Sequence, residues 1–204
     1  MSERLPVIAV VGRPNVGKST FFNRVVGSRV AIVDDQPGVT RDRNFSKADW
    51  AGHHFFIVDT GGIVEDSDEP MDKAIRQQAM LAVAEADVIL FLVDTKEGVQ
   101  PLDQKLAEVL RKTQTPVLLV ANKADNLPYN QDHQEFWSLG IGEPIPVSAL
   151  SGKGSGDLLD LVLEAIPEGA AEVYEEDTIR VAVVGKPNVG KSSFVNRLIG
   201  EERV

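Results

Sequence analysis

The stretch that most constrains this chain is GRPNVGKST, Gly12 to Thr20. It directly follows the apolar run Val7-Ile8-Ala9-Val10-Val11 and precedes a helix-competent segment, Phe21 to Val26. A buried strand running into GxxxxGKS and then into a helix is the context that a phosphate-binding loop requires. Glycine lets the backbone curl so that successive N–H groups point inward at a helix N-terminus, where they cradle phosphate. Lys18 is suited to neutralise the outer phosphates, and the Ser19 hydroxyl to ligate Mg2+. Gly12, Asn15, Val16, Gly17, Lys18, Ser19 and Thr20 are therefore the first candidate nucleotide-binding residues. A chance glycine-rich turn would not bring both flanks with it.

The chain has 204 residues, enough to bury a core without staples, and it contains no cysteine, which agrees with a reducing cytosol. The N-terminus, MSERLP, enters a strand with no apolar leader, and no apolar run approaches the ~18 residues of a membrane span, so the chain reads as cytoplasmic. A formal net charge of -10 argues against this segment gripping nucleic acid by itself, because phosphate backbones need clustered lysine and arginine.

Beyond the first loop and its helix, residues 30–44 (VAIVDDQPGVTRDRN) have no sustained period and read as a loop that orders on demand. Phe45 to Trp50 and Phe55 to Asp59 form a hairpin around Ala51-Gly52-His53-His54. The adjacent histidines of that hairpin face opposite sides of a strand and do not make a metal site. A helix is expected from about Met71 to Ala86, strands at Val88 to Val93 and Val117 to Val120, a helix from Pro101 to about Lys112, a last strand at Glu143 to Val147, and a closing helix from Gly156 to Ile166. Alternating strands and helices, with the strands apolar throughout, imply an α/β fold: a mostly parallel six-stranded sheet covered on both faces. Right-handed crossovers then place the strand C-terminal ends, and the loops that follow them, on one edge.

Those loops carry the discriminating residues. Asn122-Lys123-Ala124-Asp125 follows the Val117 strand on the same edge as the phosphate loop. A carboxylate at Asp125 can accept from both the ring N–H and the exocyclic amine of guanine, which adenine lacks there. Such a pair is worth roughly 3 to 6 kcal/mol, or discrimination of ~10² to 10⁴ against ATP. Asn122 would brace the loop and meet the base edge, the Lys123 stem would stack beside the base, and Ser148-Ala149-Leu150 would complete the base site. Asp59, at the end of the strand beside the phosphate-loop strand, can hold Mg2+ through water. Gly62 offers a backbone N–H to a γ-phosphate, and Thr40 is the hydroxyl expected to reach Mg2+ only when that phosphate is present. Lys18, Thr40, Gly62 and Asn15 are the candidate catalytic set.

The chain also repeats itself. Val181 to Gly200 aligns with Ile8 to Gly27 at an offset of 173, with 14 of 20 positions identical. The second phosphate loop comprises Gly185, Asn188, Gly190, Lys191 and Ser192. The expected organisation is a first GTP-binding domain at 1–166, an acidic linker at 167–178 (PEGAAEVYEEDT without its flanks), and the start of a second copy at 179–204. With no second Thr40, Asp59 or Asp125, that second start is expected to hold no nucleotide of its own, and the chain reads as a fragment of a longer protein.

GRPNVGKST, PGVTRDR, DTGG, VANKAD and SALSGKG, followed by a second KPNVGKSS, together resemble the EngA (Der) family of tandem GTPases, in the TrmE/Era-like branch of translation-associated P-loop GTPases. The resemblance covers the whole chain. It implies a GTP-hydrolysing factor that binds the large ribosomal subunit and its RNA and assists subunit assembly, mainly through parts outside this sequence: the remainder of a second G domain and a KH-like domain. Ile63 follows Gly62 where related switches carry a water-orienting glutamine. The resemblance implies that water is positioned by other groups and that K+ beside Asn15 substitutes for an arginine finger, so that intrinsic turnover is slow. Two readings stay open: an enzyme whose turnover drives an assembly cycle, and a nucleotide-gated binding module whose hydrolysis only resets it.

Overall fold

A computed structural model describes residues 2–3, 5–27, 45–60, 80, 82–125, 133–170, 173–174, 194 and 197. In chain order the strands are β1 (Ser2–Glu3), β2 (Val7–Val11), β3 (Phe45–Trp50), β4 (His53–Asp59), β5 (Val88–Asp94), β6 (Val117–Asn122), β7 (Ile145–Pro146) and β8 (Val173–Tyr174). The helices are α1 (Lys18–Gly27), α2 (Pro101–Leu110) and α3 (Ser155–Ala165), with a short 3-10 helix at Gln134–Leu139. Six strands form one sheet in the order β3-β4-β2-β5-β6-β7. Every pairing in it is parallel except the β3–β4 hairpin.

The apolar runs explain that order. β5, VILFLVD, is buried at all seven positions and lies in the middle, between β2 and β6. Because strand side chains alternate, such a run must be covered twice. Ile8, Val10, Val88, Leu90 and Leu92 pack with Phe21, Phe22 and Val25 of α1 and Leu158, Leu159 and Val162 of α3. Ala9, Val11, Ile89, Phe91 and Val93 pack on the opposite face with Leu106, Ala107 and Leu110 of α2 and with Phe136 and Leu139 of the 3-10 helix. Truncating the fully buried Phe91 to alanine would cost about 3 to 5 kcal/mol.

Departures from the sequence reading have local causes. The last strand contracts to Ile145–Pro146, since Pro146 has no N–H to donate and is tolerated there because β7 is an edge. The 3-10 turn was not expected; it buries Phe136 and Leu139 and stops at Gly140, whose φ of 62° is left-handed. Helix α2 ends at Leu110, slightly before Lys112. The expected acidic linker contains a strand: Val173 and Tyr174 pair antiparallel with Glu3 and Ser2. Of the helix expected from Met71 to Ala86, residues 80 and 82–86 are described, and 80 and 82–85 are helical. Among the described residues no helix is long and apolar enough to cross a membrane.

Parallel pairing brings the C-terminal ends of β2, β4, β5 and β6 to one edge. Gly12 and its loop, Asp59, Asp94 and Asn122 therefore face the same space.

Candidate functional site

The phosphate loop is shaped by contacts that leave no room for side chains at two glycines. A Cβ on Gly12 would lie 2.5 Å from the Leu92 carbonyl oxygen, so the loop leaves β2 pressed against β5. A Cβ on Gly17 would lie 2.4 Å from Asn122 Nδ2, and Gly17 has a φ of 98° that side-chain-bearing residues avoid. Asn15 also adopts a left-handed φ, 66°, and is exposed. Lys18, buried at the first turn of α1, donates from Nζ to the Arg13 carbonyl at 2.9 Å. Ser19 donates its hydroxyl to Asp59 Oδ2 at 2.7 Å. Ser19 and Asp59, two of the three residues expected to hold Mg2+, thus come from the first turn of α1 and the end of β4 to hydrogen-bonding distance. Their hydroxyl and carboxylate oxygens are hard donors of the type that ion takes.

Asn122 is the keystone. Almost fully buried at the end of β6, it donates from Nδ2 to the Val16 carbonyl in the phosphate loop at 2.8 Å and accepts the Ala149 N–H on Oδ1 at 2.9 Å. One amide therefore joins the phosphate loop to the Ser148-Ala149-Leu150 loop. Its own carbonyl accepts from the N–H and hydroxyl of Thr95, at 3.0 and 2.9 Å, which fixes β6 against the end of β5. Lys123, at a left-handed φ of 66°, reaches back to donate to Asp94 Oδ2 at 2.6 Å and to the Asn15 carbonyl at 2.7 Å. Its stem therefore spans the gap between β5 and the phosphate loop.

Asp125 lies two residues on, partly exposed. Ser148, itself buried, donates its hydroxyl to Asp125 Oδ1, and Lys96 Nζ lies 3.1 Å from Oδ2. The Ser148 hydroxyl first, and then Lys96, hold the Asp125 carboxyl below the usual carboxylate range, so it is an anionic acceptor at neutral pH. Ser148 Oγ also accepts the Ser151 N–H at 3.1 Å, closing the loop on itself. From the other side Arg24 of α1 donates from Nε to the Ala149 carbonyl at 3.1 Å and from Nη2 to the Leu150 carbonyl. The Leu150 side chain is exposed.

The structure thus brings together Gly12, Asn15, Val16, Gly17, Lys18, Ser19, Thr20, Asp59, Asn122, Lys123, Asp125, Ser148, Ala149 and Leu150 along one edge. Thr40 and Gly62, and the second loop with Gly185, Asn188, Gly190, Lys191 and Ser192, lie outside the described residues. Sequence reasoning missed Arg24, Asp94 and Lys96. Asp94 was findable, since it ends an apolar strand as Asp59 does. Arg24 and Lys96 gave no signal, because their partners lie 125 and 29 residues away.

Comparison with known proteins gives this geometry its relatives. Residues 7–123 and 180–204 match the family described as 50S ribosome-binding GTPase. The chain is 60% identical over 200 residues to GTPase Der of Gemmatimonas aurantiaca and 56% identical over 199 residues to GTPase Der of Halalkalibacterium halodurans. Each alignment covers 98% of this chain but 45% of the relative, so the chain spans about half the length of these proteins. Among solved structures, Era in complex with MgGDPNP and a fragment of 16S ribosomal RNA superposes with a TM-score of 0.61 at 30% identity, over 86% of this chain and 61% of that one. An Aquifex aeolicus Era variant bound to GDP and AlF4- gives 0.61 at 29% identity, over 88% and 62%. With its phosphate loop, its Asn122 brace and a family match that spans both copies of the repeat, the chain belongs to the 50S ribosome-binding GTPase family, in its Der (EngA) branch.

Proposed function

We propose that this chain binds GTP and GDP with Mg2+, hydrolyses GTP slowly, and serves a cytoplasmic factor in large ribosomal subunit assembly. The observation that carries the nucleotide reading is the Asn122 amide, which joins the Val16 carbonyl to the Ala149 N–H beside an ionised Asp125. That arrangement aligns a phosphate cradle with a base acceptor, as a single mononucleotide needs. Asp125 would accept from the guanine N–H groups, and Lys123 would lie along the ring. Lys18 and the backbone N–H groups of the phosphate loop would neutralise and orient the phosphates. Thr40 and Gly62 would add contacts when a γ-phosphate is present. Ser19 and Asp59, with Thr40, would hold Mg2+, which when bound withdraws charge from the phosphates. Asn15 would offer K+ an oxygen donor, and K+ when bound adds a positive charge at the same place. In domain terms, we assign 1–166 to the first GTP-binding unit, 167–178 to a connection and 179–204 to the start of a second unit.

Calorimetric titration with GDP, GTP and ATP in Mg2+ tests the nucleotide reading: guanine nucleotides should bind and ATP should not. Equal affinity for ATP and GTP would overturn it. Hydrolysis should proceed near the ~10⁻⁴ to 10⁻³ per second of unassisted switches. It should rise in K+ over Na+, and Asn15→Ala should remove that response; a full response in the variant moves the ion elsewhere.

The assembly role rests on kinship with proteins about twice this length. It is tested with the full-length protein on isolated large and small subunits with GTP, GDP and a non-hydrolysable analogue. Binding to large subunits that depends on the nucleotide supports it. Preference for small subunits, the source of the RNA in the Era complex, would overturn it. A variant that binds GTP without hydrolysing it separates turnover-driven assembly from simple gating, since only a gate would still support assembly.

A further inference from the structure

Helix α2 starts with a carboxylate that serves two masters. Asp103, with its side chain fully buried, caps the helix by accepting the Gln100 N–H on Oδ2 at 3.0 Å, and the same oxygen lies 3.4 Å from Arg13 Nε. Arg13 is the first residue of the phosphate loop after Gly12. Although charged, it is buried, and its Nη1 pairs with Glu97 at 2.8 Å. Arg13 Nη2 and Asp103 Oδ1 are buried without hydrogen-bond partners among the described residues. Burying an ion pair with unspent hydrogen-bonding capacity is a poor route to stability, so its retention calls for another reason. Burial pushes the Asp103 carboxyl up, and the Arg13 guanidinium opposes that.

The backbone of Arg13 supplies such a reason. Its carbonyl is the acceptor for Lys18 Nζ. Inside the loop, Gly12 is pressed against the Leu92 carbonyl. On the other side, the Arg13 side chain is held to α2 and to Glu97. The peptide carbonyl that tethers Lys18 is therefore clamped from both sides. We propose that Asp103 is a positioning residue for the phosphate loop, acting through the buried guanidinium of Arg13 to fix the carbonyl on which Lys18 rests. The assignment rests on the nucleotide-binding reading above. It also marks a difference between the two copies of the repeat: the counterpart of Arg13 is Lys186, whose ammonium has no planar fork for the same pairing.

The test uses the whole chain and the variants Asp103→Asn, Arg13→Lys and Glu97→Gln. Asparagine keeps the volume and the helix cap but removes the charge that faces Arg13. Affinities for GDP and GMP are measured by competition, with folding followed by circular dichroism. Misplacing the loop should weaken GDP about tenfold in Asp103→Asn and less in Arg13→Lys, since the asparagine keeps the cap and the shift stays below the 1 Å that costs about 10²-fold. GMP, which lacks the β-phosphate, should lose far less, and the preference for GTP over inosine triphosphate should not move. The double variant Arg13→Lys/Asp103→Asn should bind no worse than the poorer single one, as expected for two groups acting through one contact. Glu97, half exposed, should matter least. Folded Asp103→Asn binding GDP as tightly as wild type, or losing GMP and GDP equally, would overturn the proposal. A wild-type chain that bound no guanine nucleotide would instead remove the reading beneath it.

Discussion

The two ends of the site are built on different plans. At the base end, side chains are already engaged with one another: Asn122 bridges two loops, Ser148 donates to Asp125, and Arg24 holds the carbonyls of Ala149 and Leu150. At the phosphate end, the chemistry-bearing groups hold partners they must share or release: Lys18 rests on the Arg13 carbonyl and Ser19 on Asp59. On the proposed function, a base would enter a frame whose ordering cost was met on folding, whereas a phosphate and its metal ion would enter by exchange. The difference would then separate roles: the base end would set which nucleotide binds, and the phosphate end how tightly.

Substitutions at each end should read out that separation. Lys18→Ala should have the largest effect, loss of detectable GTP binding in calorimetry, because it removes the only buried lysine of the phosphate loop among the described residues. Asp125→Asn should weaken GTP by ~10² or more while improving xanthosine triphosphate, whose carbonyl then meets an amide donor. Unchanged GTP affinity in that variant would remove Asp125 from the base site and collapse the contrast between the ends. Ser148→Ala should cost about tenfold at neutral pH, the value of a hydrogen bond to a charged group, and it should add a pH signature. The carboxyl of Asp125 is held low, so its contribution is complete at neutral pH and is lost only as pH falls through that depressed value. Without the Ser148 hydroxyl the carboxyl rises, and GTP affinity in a pH titration should begin to fall at a higher pH than in wild type. Identical acid limbs would mean that Ser148 does not act through Asp125.

Much of this was legible in the residues, for physical reasons that also explain the gaps. The core strands were readable because five or six apolar residues in succession leave a chain few ways to hide them. The placement of Asp59 and Asn122 followed, since a parallel sheet brings strand ends to one edge. What escaped was long-range and side-chain mediated. The 3-10 helix at Gln134–Leu139 has too short a period to announce itself. The pairing of Val173–Tyr174 with Ser2–Glu3 joins segments from opposite ends of the sequence, and neither shows strand alternation over a useful length. Arg13 looked like a variable position of a motif, and only its burial beside Asp103 marks it out.

Helix α1 touches both ends of the site with one rigid body. Lys18 and Ser19 open it at the phosphate loop, and Arg24 holds the Ala149 and Leu150 carbonyls about one and a half turns later. The six helical rises from Lys18 to Arg24 span ~9 Å, so the helix acts as a spacer bar that sets the gap between the two halves of the cleft. A spacer bar has a pitch as well as a length. Inserting one alanine between Asn23 and Arg24 would lengthen it by only ~1.5 Å but would turn the guanidinium by ~100°, away from the Ala149 carbonyl. The phosphate loop would keep its shape, and the base loop would lose its anchor.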